Sequence, residues 1–313
     1  MGLWRGMRMA AVVLAAYVVA ASPVPGAGGT IPSIMGSLRF EGSAIAVAAS
    51  GKLAFVVTAK GGDAGEEVTL EIVSVADPRK PVRTASVALG RRSGSAGVLA
   101  VGHWVFVQAD GSVLAFDVAD PANPIQVDRA RVPVAARPGS DAEVHAATSR
   151  FGDLLFTAVG GGVRAERLRI AGPTTPAGSP VMIATPGKAQ DVVALGDLLF
   201  VADGPGVGLT VLRLVPNLTV YEGSTIVGRV SVPTAGSAEA VAVAGGLALV
   251  ADGLEGLTII SGPIPPGTVL AVVPTPGRAV DVAATGDSAI VATEEEGIQV
   301  IALPAVSAPL VVA

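Results

Sequence analysis

The chain has no cysteine in its 313 residues. A disulfide framework, a lipid-modified cysteine and a zinc site of mixed His and Cys ligands are excluded, so a buried core must hold the fold. Histidine is scarce as well, with His103 and His145 the only two. Either is a candidate general base, but a turn role for His103 and a channel role for His145 account for both without chemistry. Aromatic residues reach 4%, with 2 Trp, 2 Tyr and 7 Phe, too few for the two aromatic girdles of an outer-membrane barrel. Charged residues make up 15% and sum to −5. That balance argues against nucleic acid as a partner, because phosphate binding leans on clustered Lys and Arg. No Gly-x-Ser-x-Gly elbow is present, so nucleophilic hydrolysis has no support.

Half of the residues are hydrophobic and the mean hydropathy is +0.62, yet 40 Gly and 23 Pro cut the apolar weight into runs too short to cross a bilayer as a helix. One run is longer. Met9 to Ala21 follows Arg5 and Arg8 and is succeeded by Ser22-Pro23-Val24-Pro25-Gly26. A basic start, an apolar middle and small residues at the exit predict a signal peptide over 1–21, cleaved after Val19-Ala20-Ala21, with an uncleaved anchor as the alternative. On either reading the rest of the chain is secreted, periplasmic or on the cell surface. A linker over 22–33 then leads into one domain over 34–313.

That domain is repetitive. The stretch from Pro186 to Val211 reappears, altered, from Pro276 to Val300: two apolar runs flank a Gly-Asp turn, and a second turn leads to a third run. With the turn glycine as marker, units align at Gly51, Gly102, Gly152, Gly196, Gly245 and Gly286, 41–51 residues apart. A period in the forties suits a four-stranded propeller blade. After each marker comes a continuous apolar run, such as Leu53-Ala54-Phe55-Val56-Val57 or Leu198-Leu199-Phe200-Val201, which predicts burial on both faces. A third strand follows, and in most units a fourth begins just after a proline, as at Pro81-Val82 and Pro124-Ile125, where an outer edge tolerates it.

The expected fold is therefore all-β, a β-propeller of six blades of four antiparallel strands, with a seven-bladed or truncated ring as the alternative. Ile34 to Phe40 has the pattern of a fourth strand with no unit before it, while the last unit has only Leu310 to Ala313 for its own. Joining Ile34–Phe40 to the last blade closes the ring and removes an exposed edge.

Leu114-Ala115-Phe116-Asp117, followed by Val118-Ala119-Asp120-Pro121-Ala122-Asn123-Pro124-Ile125, resembles the LVIVD-repeat proteins of bacteria and archaea, as do Asp191-Val192 to Asp203 and Asp281-Val282 onward. The resemblance runs over nearly the whole chain after residue 34. It implies a secreted or cell-surface β-propeller with no assigned chemistry. Departures are visible: Asp-Pro-x-x-Pro survives only at Asp77–Pro81 and Asp120–Pro124, and unit three, from Asp141 to Ala171, is the least regular.

The candidate site is positional. Glu143, Asp191, Glu239 and Asp281 stand just before the innermost strand, one each in units three to six, and units one and two have no acid there. If that strand lines the channel, the four carboxylates meet at one mouth. Calcium, which takes about six to eight oxygen ligands, is the one cofactor they suit. The other reading is that each accepts backbone N–H groups at its blade junction and staples neighbours together. Glu294-Glu295-Glu296 and the run Arg164, Arg167 and Arg169 read as charged, solvated rims. The expected function is a non-catalytic binding scaffold, monomeric, for an extracellular protein or glycan. The alternative is a divalent-metal-dependent hydrolase or lactonase that uses the channel-mouth acids.

Overall fold

The computed structural model describes residues 31–61, 66–92, 96–109, 112–127, 154–167, 181–214, 226–261 and 267–304. Every regular element among them is a strand. Blade 1 contains Ser43–Ser50, Leu53–Lys60, Glu66–Ser74 and Val82–Arg92, and blade 2 contains Ala96–Val101, Trp104–Ala109, Ser112–Asp117 and Ile125–Val127. Blade 3 shows Leu154–Ala158, Gly160–Arg167 and Val181–Ala189, and its expected first strand lies outside the described residues. Blade 4 contains Asp191–Leu195, Leu198–Ala202, Leu209–Leu214 and Ile226–Val232. Blade 5 contains Ala240–Ala244, Leu247–Ala251, Leu257–Ser261 and Thr268–Val273. Blade 6 contains Ala279–Thr285, Ser288–Thr293 and Gly297–Ala302, and its fourth strand is Ile34–Leu38 from the start of the domain.

Within each blade the strands run antiparallel in chain order, and the first strands of blades 2, 1, 6, 5 and 4 touch in that sequence around an axis. Those inner strands are built of small residues, such as Ala240-Val241-Ala242-Val243-Ala244, because several must converge on little space. Ring closure follows the edge argument: Ile34 pairs with Ile301 and Leu38 with Ile298.

Five of the six marker glycines are the turns they were expected to be, and the sixth, Gly152, lies outside the described residues. Gly51, Gly102, Gly196, Gly245 and Gly286 have φ of 61, 62, 61, 56 and 56°, a region that costs glycine nothing and other L-residues about 1 kcal/mol or more. Each opens a two-residue hairpin in one common register, with Ser50 opposite Leu53 and Thr285 opposite Ser288.

That register decides the packing. Phe55 joins Val105 and Val107 of the next blade, Phe156 joins Leu199 and Val201, and Phe200 joins Ala248 and Val250. Leu249 meets Ala289 and Val291, and Ile290 meets Ala54 and Val56 of blade 1. In blades 1, 4, 5 and 6 one position of the second strand thus faces the following blade while its neighbours face the preceding one. This is why the run is apolar throughout instead of alternating. Each full burial is worth about 1.5–3 kcal/mol. Outer strands carry exposed apolar residues such as Val82, Ile125 and Met182.

Candidate functional site

Asp191 and Asp281 occupy one structural position, opposite Ala202 and Ala292 on their hairpins, and both are buried. Asp191 accepts the N–H of Val192 at 2.5 Å and that of Val241, on the inner strand of blade 5, at 2.8 Å. Asp281 does the same, accepting from Val282 at 2.7 Å and from Val47, on blade 1, at 2.6 Å. Such N–H groups lie on the free edge of an innermost strand, with no ladder partner on the axis side, and a carboxylate is a strong acceptor for them. Each aspartate therefore serves two blades. Blades 5 and 1 carry Ala240 and Ala46 at the matching position, and they need no acid because the preceding blade already satisfies their N–H groups.

Glu239 is not part of this set. The pairing of Ala240 with Ala251 places it one residue earlier, and its carboxylate goes to Arg278 of blade 6, which also approaches Glu294 at 3.7 Å. Arg39 pairs with Glu296, so the acidic run on blade 6 is held by cations from both sides. Glu143 and His145 lie outside the described residues. Among the described residues no three His, Asp or Glu side chains come together as a metal-ligand set. His103 sits exposed in the first hairpin of blade 2, against Trp104 with ring centroids 4.9 Å apart.

Two carboxylates outside the candidate set prove central. Asp203 and Asp252, which follow the second strands of blades 4 and 5, are both 0% exposed. Asp203 accepts hydrogen bonds from the Thr185 hydroxyl at 2.6 Å, the Gly187 N–H at 3.0 Å and the Thr210 hydroxyl at 2.9 Å. Asp252 repeats this with Thr234 at 2.7 Å, Gly236 at 3.1 Å and Thr258 at 3.0 Å. Each clasp ties the segment arriving from the previous blade to the second and third strands of its own. Gly208 and Gly256 close the turn at φ of 83 and 89°, and a Cβ on Gly256 would fall on the Val273 carbonyl. Blade 6 closes the same turn without an acid: the Thr293 hydroxyl donates to the Gly297 carbonyl at 2.9 Å and the Gln299 amide to the Glu296 carbonyl at 3.3 Å.

Hydroxyls tie seams on the opposite face. Ser50 donates to the Gly102 carbonyl at 3.0 Å, and Thr285 donates to that of Gly51.

Sheets arranged around an axis, each packed against the next, define a β-propeller. A solved structure agrees. The chain is similar to the WD40 β-propeller domain of Doa1, with a TM-score of 0.57 at 10% identity over 87% of this chain and 97% of that one. The structure of U3-55K aligns with a TM-score of 0.49 at 9% identity over 90% and 100% of the two chains. The LVIVD repeat model matches residues 186–212 and 235–266, the two stretches that contain Asp203 and Asp252, so the molecule is a β-propeller that carries LVIVD repeats. No curated protein matches the chain.

Proposed function

We propose that this propeller is an exported, non-catalytic scaffold that binds an extracellular partner, protein or glycan. The carrying observation is how its channel-side acids are used. Asp191 and Asp281 are buried against backbone N–H groups of two blades each, and Glu239 is paired with Arg278. Oxygens committed in this way serve cohesion between blades. Among the described residues, the segments that lead into blades 5, 6 and 1 and the turns after the second strands of blades 4, 5 and 6 lie together on the face where these acids stand, and a rigid ring presents them as one composite surface. Leu254, 78% exposed at such a turn, is the apolar point of that rim. Export is inferred from the basic and apolar pattern of residues 5–21, and no helix among the described residues is long and apolar enough to cross a membrane.

The test joins affinity capture with native mass spectrometry on the mature chain. The scaffold reading expects a specific partner from the native extracellular fraction, and it expects the double variant Asp191→Ala/Asp281→Ala to melt earlier yet still retain that partner when folded. A stoichiometric divalent metal on the wild-type protein that disappears in the double variant would overturn it in favour of metal-assisted hydrolysis.

A further inference from the structure

Blade 1 departs from its sisters at the clasp. Glu71 is paired with Val56 as Thr210 is with Val201 and Thr258 with Val250, so it stands in the slot of the clasp threonine. Thr58, two residues beyond Val56, stands in the slot of Asp203 and Asp252. Acid and hydroxyl are exchanged, and the turn does not close. Thr69, not a glycine, lies opposite Thr58, and the hairpin runs on to Lys60 opposite Glu67. Where the clasp would sit there is a cavity of about 230 Å³, lined among others by Thr58, Lys60, Thr69, Glu71, Arg83 and Ser86. At about 30 Å³ per water it has room for seven or so waters.

Glu71 is 4% exposed, and its Oε2 is the one buried side-chain nitrogen or oxygen among the described residues without a hydrogen-bond partner. Arg83 reaches only the other oxygen, at 3.6 Å. Burial pushes the Glu71 carboxyl above its usual range, and Ser86 and Arg83 offset this in part. In blades 4 and 5 the same place supplies a carboxylate with two hydroxyl donors and one N–H. Blade 1 has kept the acceptor but gives one of its two oxygens no donor.

We infer that this cavity is a binding site for a small neutral polyol of monosaccharide size, whose neighbouring hydroxyls give Glu71 the donors its sister sites obtain from the chain. A free cation would meet Arg83 and Lys60, the latter held 3.1 Å from Glu41, and a free anion would meet three glutamates. Vicinal hydroxyls donate to the carboxylate and accept from Arg83, Lys60 and Ser86 at once. A turn about the last side-chain bond of Glu71, a broad torsion, presents its unsatisfied oxygen to the cavity. No aromatic residue lines the space, so hydrogen bonds carry recognition and Kd is on the order of 1 mM. The inference goes beyond the scaffold reading, since the ring can hold a protein partner with this cavity empty.

The experiment is saturation-transfer NMR on the full mature protein with glucose, mannose, galactose and myo-inositol as separate probes. Transfer from at least one is expected. Thr58→Asp/Glu71→Thr, which restores the sister arrangement, should weaken that binding about tenfold or more with no loss of melting temperature. Glu71→Gln, which keeps the shape, should weaken it as well. Silence from all four probes overturns the proposal, as does equal transfer from wild type and Glu71→Gln. A melting temperature raised by calcium alone, and no longer raised in Glu71→Gln, replaces the polyol with a cation.

Discussion

Blades 5 and 1 solve the same turn in opposite ways. In blade 5 a tight Asp252-to-Gly256 turn brings three donors onto one carboxylate. In blade 1 the corresponding hairpin is longer, the acid has moved to the third strand, and a cavity remains. The two blades share strand order, hairpin register and apolar second strands. What separates them is which of two facing slots holds the carboxylate. An acid in the loop slot gathers backbone and hydroxyl donors from the incoming segment, whereas an acid in the strand slot cannot reach them.

The contrast breaks most sharply at the turn glycine. Gly256→Val should cost about 3–5 kcal/mol, because it adds positive-φ strain to a collision with the Val273 carbonyl, while Thr69→Val at the matching place in blade 1 should cost less than about 1 kcal/mol. Urea denaturation of both variants checks it. Asp252→Ala should come next, at about 3 kcal/mol, since three donors lose a buried charged acceptor. Thr58→Ala removes only a 3.5 Å hydroxyl contact and should fall within about 1 kcal/mol. Asp191→Ala should cost about 2 kcal/mol and raise amide exchange at both Val192 and Val241, a two-blade effect that hydrogen exchange resolves. Gly286→Val should cost about 1–2 kcal/mol from backbone strain alone, since a Cβ there meets open space, and Gly286→Asn should recover most of it.

The smallest effect has the opposite sign. Burial raises the Glu71 carboxyl above its ordinary 4.5, so the folded state holds that proton more tightly than the unfolded chain. Its contribution to stability therefore falls as pH climbs from 4.5 through the raised folded value and stays low above it. Glu71→Gln should flatten that slope and melt no earlier than wild type at neutral pH. Thermal melts across this range decide the sign.

The ring was legible from three patterns: glycines at a near-constant period, apolar runs without alternation, and an orphan strand at Ile34–Phe40 that needed a partner. Each states local physics that the chain cannot evade, namely positive φ, burial on two faces and an unpaired edge. The clasps were not legible. Ala-Asp-Gly is also the ordinary spelling of an exposed turn, and the donors of Asp203, at Thr185 and Gly187, reach it only through packing of the incoming segment. The channel-side staples were readable as one of two alternatives for Asp191 and Asp281. Counting back from Gly245 lands on Ala240, so the signal that separates Glu239 from the aspartates was present in the marker spacing. Glu71 carries no motif. Its meaning appears only when Val56 is seen opposite it.

Completion of blade 6 by Ile34–Leu38 has a temporal side. Synthesis makes Ile34 well before Ile301, so the earlier strand must wait unpaired while the strands between them are produced. A chain that stops short leaves two orphan borders, one at each end of the broken circle, and such borders recruit other chains. The fold thus carries its own check: only a chain extended through Gly297–Ala302 can hide both.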